Sequence, residues 1–254
     1  MGGFRIISVA THEERMFHIF KESCEKNGVD LHLLGFGKKW GGFSWRFGLV
    51  LEHLQTCEDD ELVLVTDAFD TVVLKGPEEF EKRFKSYQTD KVFCLEGQAD
   101  DYVWIARYYN SRVFGPPPVV NGGTYMGYAK ALREFISSLD YRNSEDDQRL
   151  LTQRARKGDM VLDTDRRLFF MHGLGRQRDR MNYIPDTCLV SFPGSGETEE
   201  LLKGLGYTYK SEPAIMSLKL TLKRILHYGP FFWREAAVLV GAALTVAVVI
   251  VCCV

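Results

Sequence analysis

Apolar and polar positions along the chain switch between two periods. Phe4 to Ala10, Val29 to Leu34, Leu62 to Thr66 and Lys91 to Leu95 read as short apolar strands. Between them, Glu13 to Asn27 and about Ser44 to Thr56 carry the period of amphipathic helices, and Pro77 opens a third helix with Glu78 and Glu79 in its first turn. The run Leu62-Val-Leu-Val is apolar at every position, as expected of a strand covered on both faces. The pattern loosens from Gln98 to Pro118, a stretch that contains Pro116-Pro117-Pro118. A strand-like Val119-Val120 comes next, then helical stretches near Lys130 to Leu139 and Asp146 to Lys157. Strands alternating with helices predict an α/β fold with a doubly wound sheet, which binds ligands at the C-terminal ends of its strands.

A third pattern closes the chain. Residues 236–254 read AAVLVGAALTVAVVIVCCV without a charge. As a helix this run would extend about 28 Å, close to the hydrocarbon thickness of a bilayer. Tyr228, Phe231, Phe232 and Trp233 precede it, interleaved with Lys219, Lys223, Arg224 and Arg234, the aromatic and cationic dressing of a membrane interface. The expected organisation is therefore a folded domain over 1–212, a basic and aromatic juxtamembrane segment over 213–235, and a C-terminal transmembrane helix over 236–254. The first residues show neither the basic region nor the long apolar core of a signal peptide. Cations before the span and none after it place the domain on the cytosolic side of a single-pass, tail-anchored protein.

Charge and cysteine narrow the classes. With 32 Lys and Arg against 34 Asp and Glu, scattered along the chain, no basic field supports nucleic-acid binding. Of the six cysteines none forms a CxxC pair, and Cys24, Cys57, Cys94 and Cys188 lie far apart. Reduced, buried thiols are expected rather than a zinc site or a disulfide framework.

The most informative chemistry comes after the third strand, in Thr66-Asp67-Ala68-Phe69-Asp70. Residues three apart in an extended chain face opposite ways, so Asp67 and Asp70 can share one ion only if the chain turns after Asp67. Hard carboxylate ligands suit magnesium or manganese, an ion that would neutralise a diphosphate; the pair could equally cap a surface loop. Asn121-Gly122-Gly123 reads as a glycine turn that would let backbone approach a ligand, with Asn121 offering a donor and an acceptor. Asp146 and Asp147 open a helix, where the dipole favours acids for structural reasons alone. Trp40, before Gly41-Gly42, could stack on a base or sugar or belong to the core.

The order and spacing of these segments, over about Leu33 to Gly206, resemble the glycosyltransferase domain of the procollagen lysyl hydroxylases and related collagen galactosyl- and glucosyltransferases. Leu34-Gly35-Phe36-Gly37-Lys38-Lys39-Trp40 looks like the family's Leu-Gly-x-Gly-x-x-Trp opening, and Asp67-Ala68-Phe69-Asp70 resembles its Asp-x-Tyr-Asp. Asn121 to Tyr128, Asp146-Asp147-Gln148 and Leu162-Asp163 through Leu168-Phe169 are similar to its later motifs. The resemblance implies a GT-A-like mixed sheet that binds a UDP-sugar, UDP-glucose or UDP-galactose, with Mn2+ or Mg2+. It puts the metal on Asp67 and Asp70, and the nucleotide against Trp40, Arg46, Thr66, Phe69, Asn121, Gly122 and Gly123. Phe69 stands for the tyrosine that packs on uracil, and Arg46 for a phosphate-contacting lysine. Asp146 and Asp147 would face the sugar and the acceptor, which could be a protein, a glycan or a lipid.

One segment departs from the family. Where a His-Gly-Asn-Gly-like stretch supplies a metal-binding histidine, this chain reads Ser191-Phe192-Pro193-Gly194-Ser195-Gly196, and Phe192 cannot bind a metal. His172 is a substitute only if the fold brings it to the site. Two further readings stand beside an active transferase: a membrane-tethered module that keeps the nucleotide-sugar pocket without turnover, and a tail-anchored scaffold without ligand.

Overall fold

The computed structural model describes residues 3–97, 104–172, 183–193, 198–210, 226 and 229–233. The chain runs β1 (Phe4–Val9), α1 (Phe17–Lys26), β2 (Asp30–Leu34), α2 (Trp45–Leu54), β3 (Leu62–Val65), β4 (Thr71–Val73), α3 (Pro77–Lys85) and β5 (Lys91–Gly97). It continues through α4 (Trp104–Val113), β6 (Val119–Tyr128), α5 (Ala129–Ser137), α6 (Asp147–Ala155), β7 (Val161–Leu162), β8 (Phe169–Met171), β9 (Leu189–Ser191) and α7 (Glu199–Gly204), with a 3-10 turn at Gly229–Phe232.

Six strands form a mixed sheet in the order β2-β1-β3-β6-β5-β7, and β4-β9-β8 form a second, smaller sheet. β1 runs parallel to β2 and β3, whereas β6 lies antiparallel to both β3 and β5. The C-terminal ends of β1, β2, β3 and β5 and the first half of β6 consequently share one edge. Helices cover both faces of the large sheet. Ile6, Leu62, Leu64 and Val92 face α1 and α3 through Phe17, Phe20, Phe80 and Phe84, and Ile7, Val63, Val65 and Phe93 face α2 and α5 through Phe47, Val50, Leu132 and Phe135. This alternation within Leu62–Val65 explains why that strand carries no polar position.

The small sheet is shared between cores. Val73, Phe169, Met171 and Leu189 join the first core, while Val72, Phe170, Val190 and Phe192 pack with Met16, Ile19 and Leu202 in a third. The buried carboxylate of Asp163 fastens β7 to β8. It accepts from the Tyr87 hydroxyl and from the backbone N–H of Arg167, Leu168 and Phe169, the last two at 2.8 and 2.7 Å. Burial, then this carboxylate, pushes the Tyr87 phenol well above its ordinary range.

Three expectations need correction. The strand at Val119-Val120 continues to Tyr128, and Asn121-Gly122-Gly123 lies inside it rather than in a turn. The loosened stretch before it contains α4, whose amphipathic period is weakened by aromatic and cationic residues with polar ends. The helix expected from Glu13 starts at Phe17, because the backbone of Met16 donates to Phe69 O, across to the loop after β3. Cys24, Cys57, Cys94 and Cys188 are free and buried. Among the described residues no helix is long and apolar enough to cross a membrane, and the run 236–254 lies outside them, as do Gly194, Ser195 and Gly196.

Candidate active site

The shared edge of the large sheet carries the site. β3 ends at Val65, the chain bends through Thr66 to Asp70, and β4 begins at Thr71, so a turn does come after Asp67. Thr66 is buried and fixed: its Oγ1 lies 3.1 Å from that of Thr124, and its carbonyl accepts from Ser8 Oγ at 2.6 Å. Asp67 stands at the end of the large sheet and Asp70 at the beginning of the small one.

Asp70 is buried among donors. Ser191 Oγ donates to its Oδ1 at 2.8 Å, Phe192 N donates to its carbonyl at 2.7 Å, and Arg15 Nη1 lies 4.0 Å from Oδ2. Burial and the neighbouring Asp67 nevertheless raise its pKa to about 6, against the opposing pull of Arg15, Ser191 and Arg46. A buried carboxylate whose proton affinity is raised by burial and by a second carboxylate beside it lies in a place that favours positive charge, and Arg15 and Arg46 both pull on it.

Arg46, at the start of α2, bridges two segments that lie far apart in the chain. One terminal nitrogen pairs with Asp67 and the other with Asp147. Burial opposes its charge, but Asp147 and Asp67 outweigh it and hold the guanidinium proton more tightly than usual. Buried Tyr125 lies in the same field, its phenol pushed up first by burial.

The glycine pair explains how these side chains fit. A Cβ on Gly123 would fall within the Asp67 carboxylate, and one on Gly122 would meet Asp147 Oδ1 at 2.5 Å. Glycine inside a strand is thus a requirement of close approach by two acids rather than of a turn. Asn121, one position before, bridges outward: its Nδ2 donates to Glu96 at 2.8 Å, and its Oδ1 accepts from Gly123 N at 2.9 Å.

Asp146 and Asp147 have different surroundings. Asp146 is the N-cap of α6, its Oδ1 accepting from Arg149 N at 2.9 Å, while Asp147 is buried against Arg46 and Gly122. The aromatic candidates lie on two loops, Trp40 after β2 and Phe69 after β3. Trp40 is exposed and meets Phe43 and Trp45 edge-on, with ring centres 5.9 and 5.7 Å apart. Phe69 is half-buried and packs near His12 and Phe17. The loop after β2 is pinned beside α6: Ser44 and Trp45 donate to the carbonyls of Glu145 and Asn143, and Gly42, at φ 115°, sits where a Cβ would strike Asn143 O.

The fold therefore brings Arg46, Asp67, Gly122, Gly123 and Asp147 together, with Asp70 next to Asp67; Trp40, Phe69 and Asn121 are held by neighbours of their own. Sequence reasoning missed Arg15, Glu96 and Ser191. Arg15 and Glu96 sit in no motif, Ser191 opens the segment that departs from the family, and each reaches the site through tertiary packing. Phe192 is fully buried in the third core, 5.5 Å from the ring of His172, whose own N–H donates to Ser191 O. Among the described residues no three His, Cys, Asp or Glu side chains are grouped to hold a metal, so His172 completes no such set. Asp67 and Asp70 are the two hard carboxylates here, Asp67 paired with Arg46 and Asp70 with Ser191. A cavity of about 620 Å³ lined by Asp59, Glu81, Asp90 and Lys130 lies at the N-terminal end of β3, away from this chemistry.

Acids and a cation gathered at the strand ends of a mixed α/β sheet, with room kept by glycines, suit transfer from an activated sugar, and the chain is a glycosyltransferase. Residues 2–182 match the family model described as the PLOD GT domain, and the chain belongs to that family. It is similar to procollagen-lysine,2-oxoglutarate 5-dioxygenase 2 of Homo sapiens, 27% identical over 238 residues, covering 79% of this chain and 31% of the relative. A second relative, uncharacterized protein R699 of Acanthamoeba polyphaga mimivirus, is 25% identical over 229 residues, covering 82% of this chain and 49% of its own. The chain thus spans about a third of the length of the dioxygenase and half of the viral protein. Among solved structures it is similar to a glycosyltransferase involved in glycosylation of the major capsid of PBCV-1, with a TM-score of 0.48, 14% identity, and coverage of 80% of this chain and 99% of that one. The galactosyltransferase LgtC, in complex with donor and acceptor sugar analogs, gives 0.46, 15%, 82% and 97%.

Proposed function

We propose that this chain transfers a hexose, glucose or galactose, from a UDP-sugar to an acceptor hydroxyl on a protein, glycan or lipid. The observation that carries the reading is the convergence of Arg46, Asp67 and Asp147 on Gly122 and Gly123 at the strand ends. In the transfer the bond between the anomeric carbon and the diphosphate breaks, UDP leaves with the electron pair, and the acceptor oxygen bonds to that carbon as its proton passes to a base. Asp67 and Asp70 would hold Mn2+ or Mg2+, whose chemistry there is neutralisation of the leaving diphosphate. Arg46 adds a fixed positive charge beside them, and Asp147, on the far side of Arg46, faces the sugar and its acceptor. Phe69 and Trp40 offer aromatic faces for the uracil and ribose, while Thr66 and Asn121 orient the backbone around them. Asp146 acts by starting α6 and so aiming Asp147.

We further propose that residues 236–254 anchor the chain in a membrane as a single C-terminal span, with 213–235 at its surface and 1–212 on the cytosolic side. The charge-free composition of the run supports the anchor.

A second reading, a membrane-tethered protein that binds the nucleotide sugar without turning it over, is favoured by Phe192, buried where the family's histidine is expected. Release of UDP from UDP-glucose and UDP-galactose by the full chain in detergent, with Mn2+ or with EDTA, separates the two. Metal-dependent release, lost in Asp67→Ala and Asp70→Ala, supports the transferase. Calorimetric binding of UDP without release supports the binding module, and no binding at all sinks both.

A further inference from the structure

Away from the site, α4 and the 3-10 turn Gly229–Phe232 build one aromatic face. Tyr109 stacks on Phe232 with ring centres 5.5 Å apart and planes inclined by 15°, and Arg112 Nη2 donates to Phe231 O at 2.9 Å. On the outer side, Trp104 and Tyr108, one helical turn apart on α4, are 72% and 44% exposed, and Trp233, directly after the turn, is 62% exposed. Trp104 and Tyr108 on one face of α4, and Trp233 directly after the turn whose Phe232 packs on that helix, are large exposed aromatic side chains poorly served by water. They suit the interfacial zone of a bilayer, where rings with an apolar body and a polar tip are favoured. Exposed Arg107, on the same helix, adds a cation of the kind that meets lipid phosphate.

The sequence directly beyond this face selects its occupant. Three residues after Trp233 begins the charge-free run 236–254, long enough to cross a bilayer. A face that ends where such a run starts is already at the lipid surface, whereas a protein partner would need no run of this kind. We propose that α4, the 3-10 turn and Trp233 dock the domain flat on the membrane, so that the folded part lies on the bilayer instead of hanging from a tether. The inference rests on the anchor reading of 236–254. It ties the membrane to the site as well: Arg149, two residues along α6 from Asp147, lies over the Phe231 ring with its guanidinium 4.6 Å from the centroid.

The test uses the full chain reconstituted in phosphatidylcholine vesicles, with and without brominated phosphatidylcholine. Carbonate-resistant flotation with the vesicles reports the anchor, and tryptophan quenching by the brominated lipid reports docking. The chain has four tryptophans, Trp40, Trp45, Trp104 and Trp233. Trp233 is quenched in either arrangement, because the anchor brings it to the surface. Docking predicts that Trp104→Phe removes about half of the quenchable signal, since two of the four lie on the face, and that Trp40→Phe removes none. Tyr108→Trp should add a further quenched fluorophore, which keeps the test decisive if Trp104→Phe folds poorly. Flotation with quenching unchanged by Trp104→Phe and no gain from Tyr108→Trp overturns docking and leaves the anchor standing. Failure to float overturns both.

Discussion

At the residue scale the centre of the molecule is Arg46, a cation between two acids that belong to different segments. Arg46→Met should destabilise the fold by about 3–5 kcal/mol, because Asp147 is left buried without its partner, and Arg46→Lys should recover part of this. Urea unfolding measures the loss. The same Arg46→Met chain should bind Mn2+ more tightly than the parent, as Asp67 then has no competing partner; titration followed by the spin resonance of free Mn2+ reads the change. Gly123→Ala is expected to displace the Asp67 carboxylate and weaken that binding at least 10-fold while circular dichroism stays that of the parent. Asp70 gives a pH dependence of definite sign. Its pKa near 6 in the fold exceeds the value of about 3.9 in an unfolded chain. This group's contribution to stability is therefore fully present below about pH 4 and is lost as pH rises through about 6. Mn2+ needs the ionised form, so its affinity should fall as pH drops below 6 while the metal-free fold gains stability, two opposite slopes that thermal melts with Mn2+ or EDTA would display. Asp67, Asp70 and Asp147 were legible from the sequence, since strand ends and helix starts announce themselves. Ser191, Arg15 and Glu96 were not, because their roles come from register between distant strands and loops.

At the scale of elements, one helix and one strand separate what local sequence blurs. Asp146 and Asp147 are adjacent acids at a helix start, and sequence gives both the same propensity. The structure spends Asp146 on the backbone of Arg149 and leaves Asp147 facing Arg46. Asp146→Ala should cost about 1 kcal/mol of stability as the loss of a cap, whereas Asp147→Asn should reduce UDP release far more than it reduces stability. Helix α2 supplies the opposite case in Gly48, exposed and with open space where a Cβ would stand. Gly48→Ala should raise stability by about 0.5–1 kcal/mol in the same urea titration, without the displacement expected for Gly123→Ala. Most strands and helices were legible from periodicity, including Leu62–Val65. β6 was not, because two glycines that serve side-chain approach carry the same local signal as a turn. α4 was hidden by its composition, since Trp104 and Tyr108 face outward.

At the scale of the whole molecule, alternation of strands and helices announced the α/β class, but not the reversal of β6 or the second sheet. The second sheet depends on pairings between β4, β8 and β9; an apolar strand is legible at Leu168 to Met171, but its three-residue partners carry no periodicity long enough to read. It gives the acid pair an unexpected character. Asp67 stands two residues after the last strand residue of one sheet and Asp70 directly before the first of the other, and Ser191 on β9 donates to Asp70. As the proposed ion site, the pair would be a caliper with a jaw next to each sheet. A substitution deep in the third core, such as Val190→Ala, touches neither acid, yet by letting the small sheet settle it would change the jaw opening. Ion affinity would then register the mutual alignment of the two layers, and a screen for weakened metal binding would recover packing residues far from any carboxylate.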